Sequence, residues 1–118
     1  MTDFSPYSPQ GLPAIVTEYL DSQSDARGRE AIADMFVPDG RVVDEGIEYL
    51  GVDAIRRWLR KTASAYAYTT TMIGQRGADA THWEVLARLE GDFPGGVVDL
   101  RYRFEIHGDR IIDLVIAP

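Results

Sequence analysis

Cysteine is absent from this 118-residue chain, so disulfides and thiolate metal sites are excluded. An excess of positive charge is also missing. The net charge is -7, and a surface of that sign repels phosphate backbones, so no nucleic-acid partner is expected. Lysine occurs once, at Lys61, and the basic cluster Arg56, Arg57, Arg60 and Lys61 reads as the solvated face of one helix. Histidine is limited to two residues. No apolar run approaches the roughly 18 residues that would span a bilayer, and no basic-apolar leader opens the chain. A cytoplasmic location without membrane contact is the expectation. No phosphate-binding glycine loop, metal-ligand cluster or Ser-His-Asp arrangement is legible, so no cofactor and no metal are expected.

What remains is enough for one domain. A chain of this length buries roughly 65% of its unfolded surface, a core that needs no covalent staple. Met1 to Pro9 carries two prolines and small polar residues and reads as a flexible arm, with Phe4 and Tyr7 as docking side chains. Residues 10–118 form the domain.

The most informative segment runs from Thr81 to His107, two alternating runs around Gly-Asp-Phe-Pro-Gly-Gly. Placing Glu90 opposite Val97 sets Trp83 against Phe104, Val85 against Tyr102, Ala87 against Leu100 and Leu89 against Val98. The other face then pairs His82 with Glu105, Glu84 with Arg103 and Arg88 with Asp99. One register gives both an apolar face and three complementary polar pairs, which a slipped register would not. The apolar face needs a cover, and amphipathic helices precede it.

The first helix is expected from Pro9 or Gln10 to Ser22, with Pro13 in its first turn and Ile15, Val16, Tyr19 and Leu20 as its stripe. The second runs from Ala26 to Phe36, capped by Ser24 or Asp25, with Ile32, Met35 and Phe36 inward. Pro38-Asp39-Gly40 reads as a turn. Short strands follow at Arg41–Glu45 and Ile47–Leu50. A third helix extends from Gly51 to Ala65, its stripe formed by Ala54, Ile55, Trp58, Leu59, Thr62 and Tyr66. Further strands are expected at Thr69–Arg76, along the hairpin, and at Arg110–Ala117.

Three stretches carry a family resemblance: Ala33-Asp34-Met35-Phe36-Val37-Pro38-Asp39-Gly40, Tyr49-Leu50-Gly51-Val52-Asp53-Ala54-Ile55-Arg56-Arg57-Trp58-Leu59, and Phe93-Pro94-Gly95-Gly96-Val97-Val98-Asp99-Leu100-Arg101-Tyr102-Arg103-Phe104. With the element order, they resemble the nuclear transport factor 2-like superfamily, the third stretch its SnoaL-like branch. The resemblance implies an α+β fold: three N-terminal helices packed on a strongly bent, mostly antiparallel sheet, enclosing a conical pocket. It also implies a homodimer paired through the outer sheet face. The superfamily holds ketosteroid isomerases, polyketide cyclases, dehydratases and epoxide hydrolases alongside non-catalytic members.

Asp44 is the leading candidate for chemistry. Alternation puts Val42 and Asp44 on one face of their strand; if Val42 enters the core, Asp44 enters the pocket, where desolvation would raise its pKa. The resemblance implies a general base, since the isomerase base lies eight residues after an aromatic and Phe36 to Asp44 has that spacing. The alternative is a turn aspartate bonding backbone amides before Gly46. The resemblance implies that Tyr19 lies near the isomerase tyrosine that donates to the developing enolate, if the loop after the first helix is one residue longer here; the alternative is a core tyrosine with its hydroxyl at the cavity edge. The isomerase pattern also needs a second acid on the hairpin; here the inward residue is Leu100, and Asp99 points outward. Epoxide hydrolysis needs an inward Arg between acids, and Arg101 and Arg103 alternate outward, as do His82 and His107. Met35, Trp58, Tyr66, Trp83, Tyr102 and Phe104 are the expected lining for a small apolar or aromatic ligand. Two readings follow: an isomerase or cyclase with Asp44 as base, or a non-catalytic ligand-binding or dimerisation module.

Overall fold

The structure, a computed structural model, describes residues 4–23, 25–63 and 68–118. Among these, seven strands form one sheet: β1 (Ser5–Pro6), β2 (Phe36–Asp44), β3 (Ile47–Leu50), β4 (Tyr68–Gly77), β5 (His82–Gly91), β6 (Val97–His107) and β7 (Arg110–Ala117). Their spatial order is β1-β4-β5-β6-β7-β2-β3. All neighbours are antiparallel except β2 and β7, which run parallel. Helices α1 (Ala14–Ser22), α2 (Ala26–Ile32) and α3 (Val52–Ala63) cover the apolar face of this curved sheet.

The hairpin adopts the register that its alternation demands: Glu90 pairs with Val97, and every pair from there to His82 and Glu105 follows in step. Val85, Ala87, Leu89, Tyr102 and Phe104 are buried beneath the helices. On the far face Arg88 donates to both Asp99 oxygens, at 2.8 and 3.1 Å. Glu84 accepts from Arg103 at 3.0 Å and also from Arg76 of β4. That second arginine covers the carboxylate, leaving Glu84 only 8% exposed on a face that is otherwise wet.

Four boundaries depart from the sequence expectation. The N-terminal arm contributes a strand: Ser5 and Pro6 pair with Gln75 and Gly74, and the Arg76 guanidinium lies 4.4 Å over the Phe4 ring. Gly74 permits this approach, since a Cβ there would fall 2.7 Å from that of Phe4. The first helix starts at Ala14 because Pro13 drives Leu12 into an extended conformation, leaving Pro9–Gly11 as a separate 3-10 turn. The second helix ends at Ile32, tightens into a 3-10 turn over Ala33–Met35, and gives way at Phe36 to β2. Pro38-Asp39-Gly40 is therefore not a turn between elements. It is the irregular part of β2, where the register with β7 shifts between Phe36 and Arg41 because Pro38 has no N–H to give the ladder.

Helix α2 is capped by Asp25, whose Oδ1 accepts from the Gly28 N–H at 2.6 Å. In α3, Ile55, Trp58 and Leu59 are buried, with Asp53 in the first turn and Arg60 and Lys61 in the last, as the helix dipole favours. No helix among the described residues is long and apolar enough to cross a membrane.

Candidate functional site

Strand β2 delivers Asp44 to the site. Val42 is fully buried and Asp44 lies two residues on, on the same face. The strand ends there because Glu45 and Gly46 both take positive φ, 53° and 75°, the two-residue turn that folds β3 back. Asp44 is thus the last inward side chain of its strand, half-buried at the wall of a cavity between sheet and helices.

The inner chamber has a volume of about 180 Å³. It shares Asp44, Tyr68 and Leu100 with an adjoining vestibule of about 340 Å³ whose further lining includes Phe93, Pro94 and Val98. The chamber alone is smaller than the ~300–1,000 Å³ usual for small-molecule sites; the vestibule falls within that range.

Asp44 Oδ2 accepts a hydrogen bond from Trp58 Nε1 at 3.0 Å. Burial raises the carboxyl pKa above its ordinary value; the indole N–H pulls it down without cancelling the rise, and the Glu45 charge raises it further. Tyr19 and Tyr102 are both buried on the same chamber, their rings 6.3 Å apart. Burial pushes the pKa of both hydroxyls up, and Asp44 pushes in the same direction on each. Both phenols therefore stay protonated at neutral pH and can donate a hydrogen bond. Tyr68, 46% exposed, borders both the chamber and the vestibule.

Of the residues expected to form the site, the structure brings Asp44, Tyr19, Trp58 and Tyr102 to one chamber. Three others lie elsewhere. Phe104 is buried next door, edge-on to Tyr19 with centroids 5.4 Å apart, so it backs the chamber instead of lining it. Met35 packs against the core from the 3-10 turn that ends the α2 segment, which rotates it off the α2 face. Trp83 sits at the opposite end of β5, donating to the Ala80 carbonyl at 3.2 Å, and with Phe104 lines a separate cavity of about 660 Å³. Tyr66 lies outside the described residues. Leu100 lines the chamber where the isomerase pattern requires an acid.

Sequence reasoning missed Arg29. It lines the inner chamber and also a groove of about 470 Å³ between α2 and α3. Its Nη1 donates to the Gln23 carbonyl at 2.9 Å, while its Nε is buried without a hydrogen bond. An orphaned donor of this kind costs roughly 1–3 kcal/mol. The signal was present within α2: Arg29 precedes Ile32 by three residues, the spacing of one helix face. Among the described residues no group of His, Asp or Glu could hold a metal ion.

No protein-family model and no curated protein matches the chain. Solved structures do. A candidate polyketide cyclase from Sinorhizobium meliloti is 35% identical, superposes with a TM-score of 0.85, and is aligned over 94% of this chain and 100% of its own. A protein of ketosteroid isomerase-like fold from Catenulispora acidiphila, solved with trimethylamine, is 20% identical over 90% of this chain and 85% of its own, with a TM-score of 0.77. An epoxide hydrolase/cyclase-like enzyme of pyran ring formation in the polyether salinomycin is 18% identical, covering 86% and 85%, with a TM-score of 0.70. The bent sheet with its three helices is the nuclear transport factor 2-like fold, and the chain belongs to that superfamily.

Proposed function

We propose that this protein is a SnoaL-like proton-transfer enzyme, an isomerase or cyclase acting on a small apolar or aromatic carbonyl compound. The observation that carries this reading is Asp44: a half-buried carboxylate, its pKa raised by burial, in a largely apolar chamber that two protonated tyrosines also line, Tyr19 from α1 and Tyr102 from β6. The likeness to a candidate polyketide cyclase supports it.

In the step we propose, the Asp44 carboxylate takes a proton from a carbon next to the substrate carbonyl. The C–H electron pair forms the enolate, and negative charge collects on oxygen. Tyr19 or Tyr102 donates a hydrogen bond to that oxygen. Asp44 then returns the proton to another carbon, which isomerises the substrate. In a cyclisation the enolate carbon attacks a second carbonyl of the same molecule, and Asp44 protonates the resulting alkoxide.

The test is exchange of the acidic C–H protons of 2-tetralone for deuterium, followed by NMR. The protein should accelerate exchange, and Asp44→Asn should reduce the acceleration by about 10²–10⁴-fold. Exchange unaffected by Asp44→Asn would overturn the base assignment. A second reading, a ligand-binding module without catalysis, is favoured by the indole N–H that occupies Oδ2. In that case Asp44 anchors Trp58, and titration of the carboxyl by NMR would show a pKa at or below its ordinary value.

A further inference from the structure

A base must lie within hydrogen-bond reach of the proton it takes, so the direction of the Asp44 carboxylate matters as much as its basicity. The strand does not set that direction. Asp44 is the last residue of β2, half-buried, and followed at once by the positive-φ pair Glu45 and Gly46. The torsion that turns an aspartate carboxylate about its Cβ–Cγ bond is broad and has no sharp rotamer. Trp58 supplies what the torsion lacks: its Nε1–H donates to Oδ2 at 3.0 Å. The indole is itself held. It is 4% exposed, lies on the buried stripe of α3 with Ile55 and Leu59, and has the Tyr49 ring of β3 against it, centroids 6.1 Å apart. Strands β2 and β3 and helix α3 thus meet at one hydrogen bond. A tryptophan that only fills space needs no carboxylate: Trp83 satisfies its indole N–H at the Ala80 carbonyl, three residues back in the chain.

We propose that Trp58 is a positioning residue for the base: its indole N–H fixes the plane of the Asp44 carboxylate, and with it the direction in which the carboxylate can take a proton. The inference rests on the proton-transfer reading, and it gives a catalytic task to the bond that otherwise favours a binding module. Positioning and tuning are separable. The same N–H holds the Asp44 pKa down, so deleting it leaves a stronger base. A stronger base, once ionised, takes a proton faster. Deleting a bond that only tunes would therefore raise the rate at the pH-independent plateau. Deleting a bond that positions lowers it. The other groups around the carboxylate are Tyr19, Arg29, Glu45, Tyr68 and Tyr102 on the chamber, the Glu45 backbone N–H, and Lys61 of α3. None of these is altered by a change at Trp58, so they drop out of the comparison.

The experiment follows 2-tetralone exchange against concentration and pH for the wild-type protein, Trp58→Phe and Asp44→Asn. Phenylalanine keeps an aromatic ring on α3 and has no N–H to give. Trp58→Phe should lower kcat at the plateau by about 10-fold, change KM less than kcat, and move the acid limb of kcat/KM to higher pH. A tryptophan with a structural role alone would move neither the plateau nor the limb of the folded protein. A plateau at or above the wild-type value, with exchange still lost in Asp44→Asn, overturns the positioning role and leaves the base standing. Exchange indifferent to Asp44→Asn discards the base, and the positioning role with it. Should Trp58→Phe fold poorly, the indole N–H resonances of the wild-type protein serve instead. The Trp58 resonance should titrate with the midpoint of the acid limb of kcat/KM, and the Trp83 resonance, bonded to a carbonyl, should not. A Trp58 resonance that ignores that titration overturns the proposal.

Discussion

Two carboxylates show how neighbours decide the sign of a burial effect. Asp44 is half-buried against an indole N–H, and desolvation wins, so its pKa is raised. Glu84 is more deeply buried; desolvation raises its pKa too, but hydrogen bonds from Arg103 and Arg76 outweigh this and lower it. The consequences for stability are opposite. The folded protein holds the Asp44 proton more tightly than the unfolded chain does. Its contribution is therefore present below the unfolded pKa and lost as pH rises through the folded one, so near neutral pH the ionised group works against the fold. Asp44→Asn keeps an acceptor for Trp58 and should raise the melting temperature near neutral pH. That gain should fade in acid, where the wild-type carboxyl is also neutral. Thermal unfolding at the two conditions checks it, and the trade of stability for a desolvated charge is the one expected at a catalytic base. Glu84, with its lowered pKa, contributes stability above its unfolded pKa that disappears as pH falls through the folded value. Glu84→Gln should lower stability by about 1–3 kcal/mol near neutral pH, measured by urea denaturation, since it weakens two charge-assisted bonds at a buried site.

At the scale of elements, α3 carries the cover of the cavity. Trp58 is 4% exposed, packs at 6.1 Å from the Tyr49 ring of β3, and bonds to the last residue of β2. It joins helix, hairpin and chamber at one point. Trp58→Ala should cost roughly 3–5 kcal/mol, read from urea denaturation. The same variant should raise the Asp44 pKa further, because it deletes the hydrogen bond that holds it down; carboxyl NMR checks that half. At the other edge, β1 docks only because Gly74 has no side chain. Gly74→Val would place methyls against Phe4 and the Ser5 carbonyl. It should release residues 5–6 from β4, seen as faster amide exchange at Gln75, with the chamber unchanged.

For the whole molecule, the sheet's outer face remains to be accounted for. It combines the ion pairs of Arg88, Arg103 and Arg41 with apolar residues, and Val97 is 54% exposed. We propose that two copies pair through this face, as the superfamily resemblance implies, with charged residues prominent in the contact. Sedimentation at tens of micromolar should show a dimer. A monomer under those conditions would refute the arrangement without touching the chamber, which faces the helices.

Alternation and complementarity along residues 82–107 were sufficient by themselves to set the β5–β6 register, because a side-chain period of two admits one register that satisfies both faces. They also put Val42 and Asp44 on one face and the α3 stripe on Trp58. Local pattern is enough wherever one face is apolar and the other is not. It was not enough for Pro38-Asp39-Gly40, whose turn-forming composition is overridden by pairing with β7 from the far end of the chain. Nor did it place Trp83 and Phe104: both alternate inward, but the tertiary structure sets them on a separate cavity of about 660 Å³ and not on the chamber of Asp44. Arg29 shares the helical spacing of Ile32, yet only the packing of α2 against α3 and the sheet puts it on the chamber wall and leaves its Nε buried without a hydrogen bond.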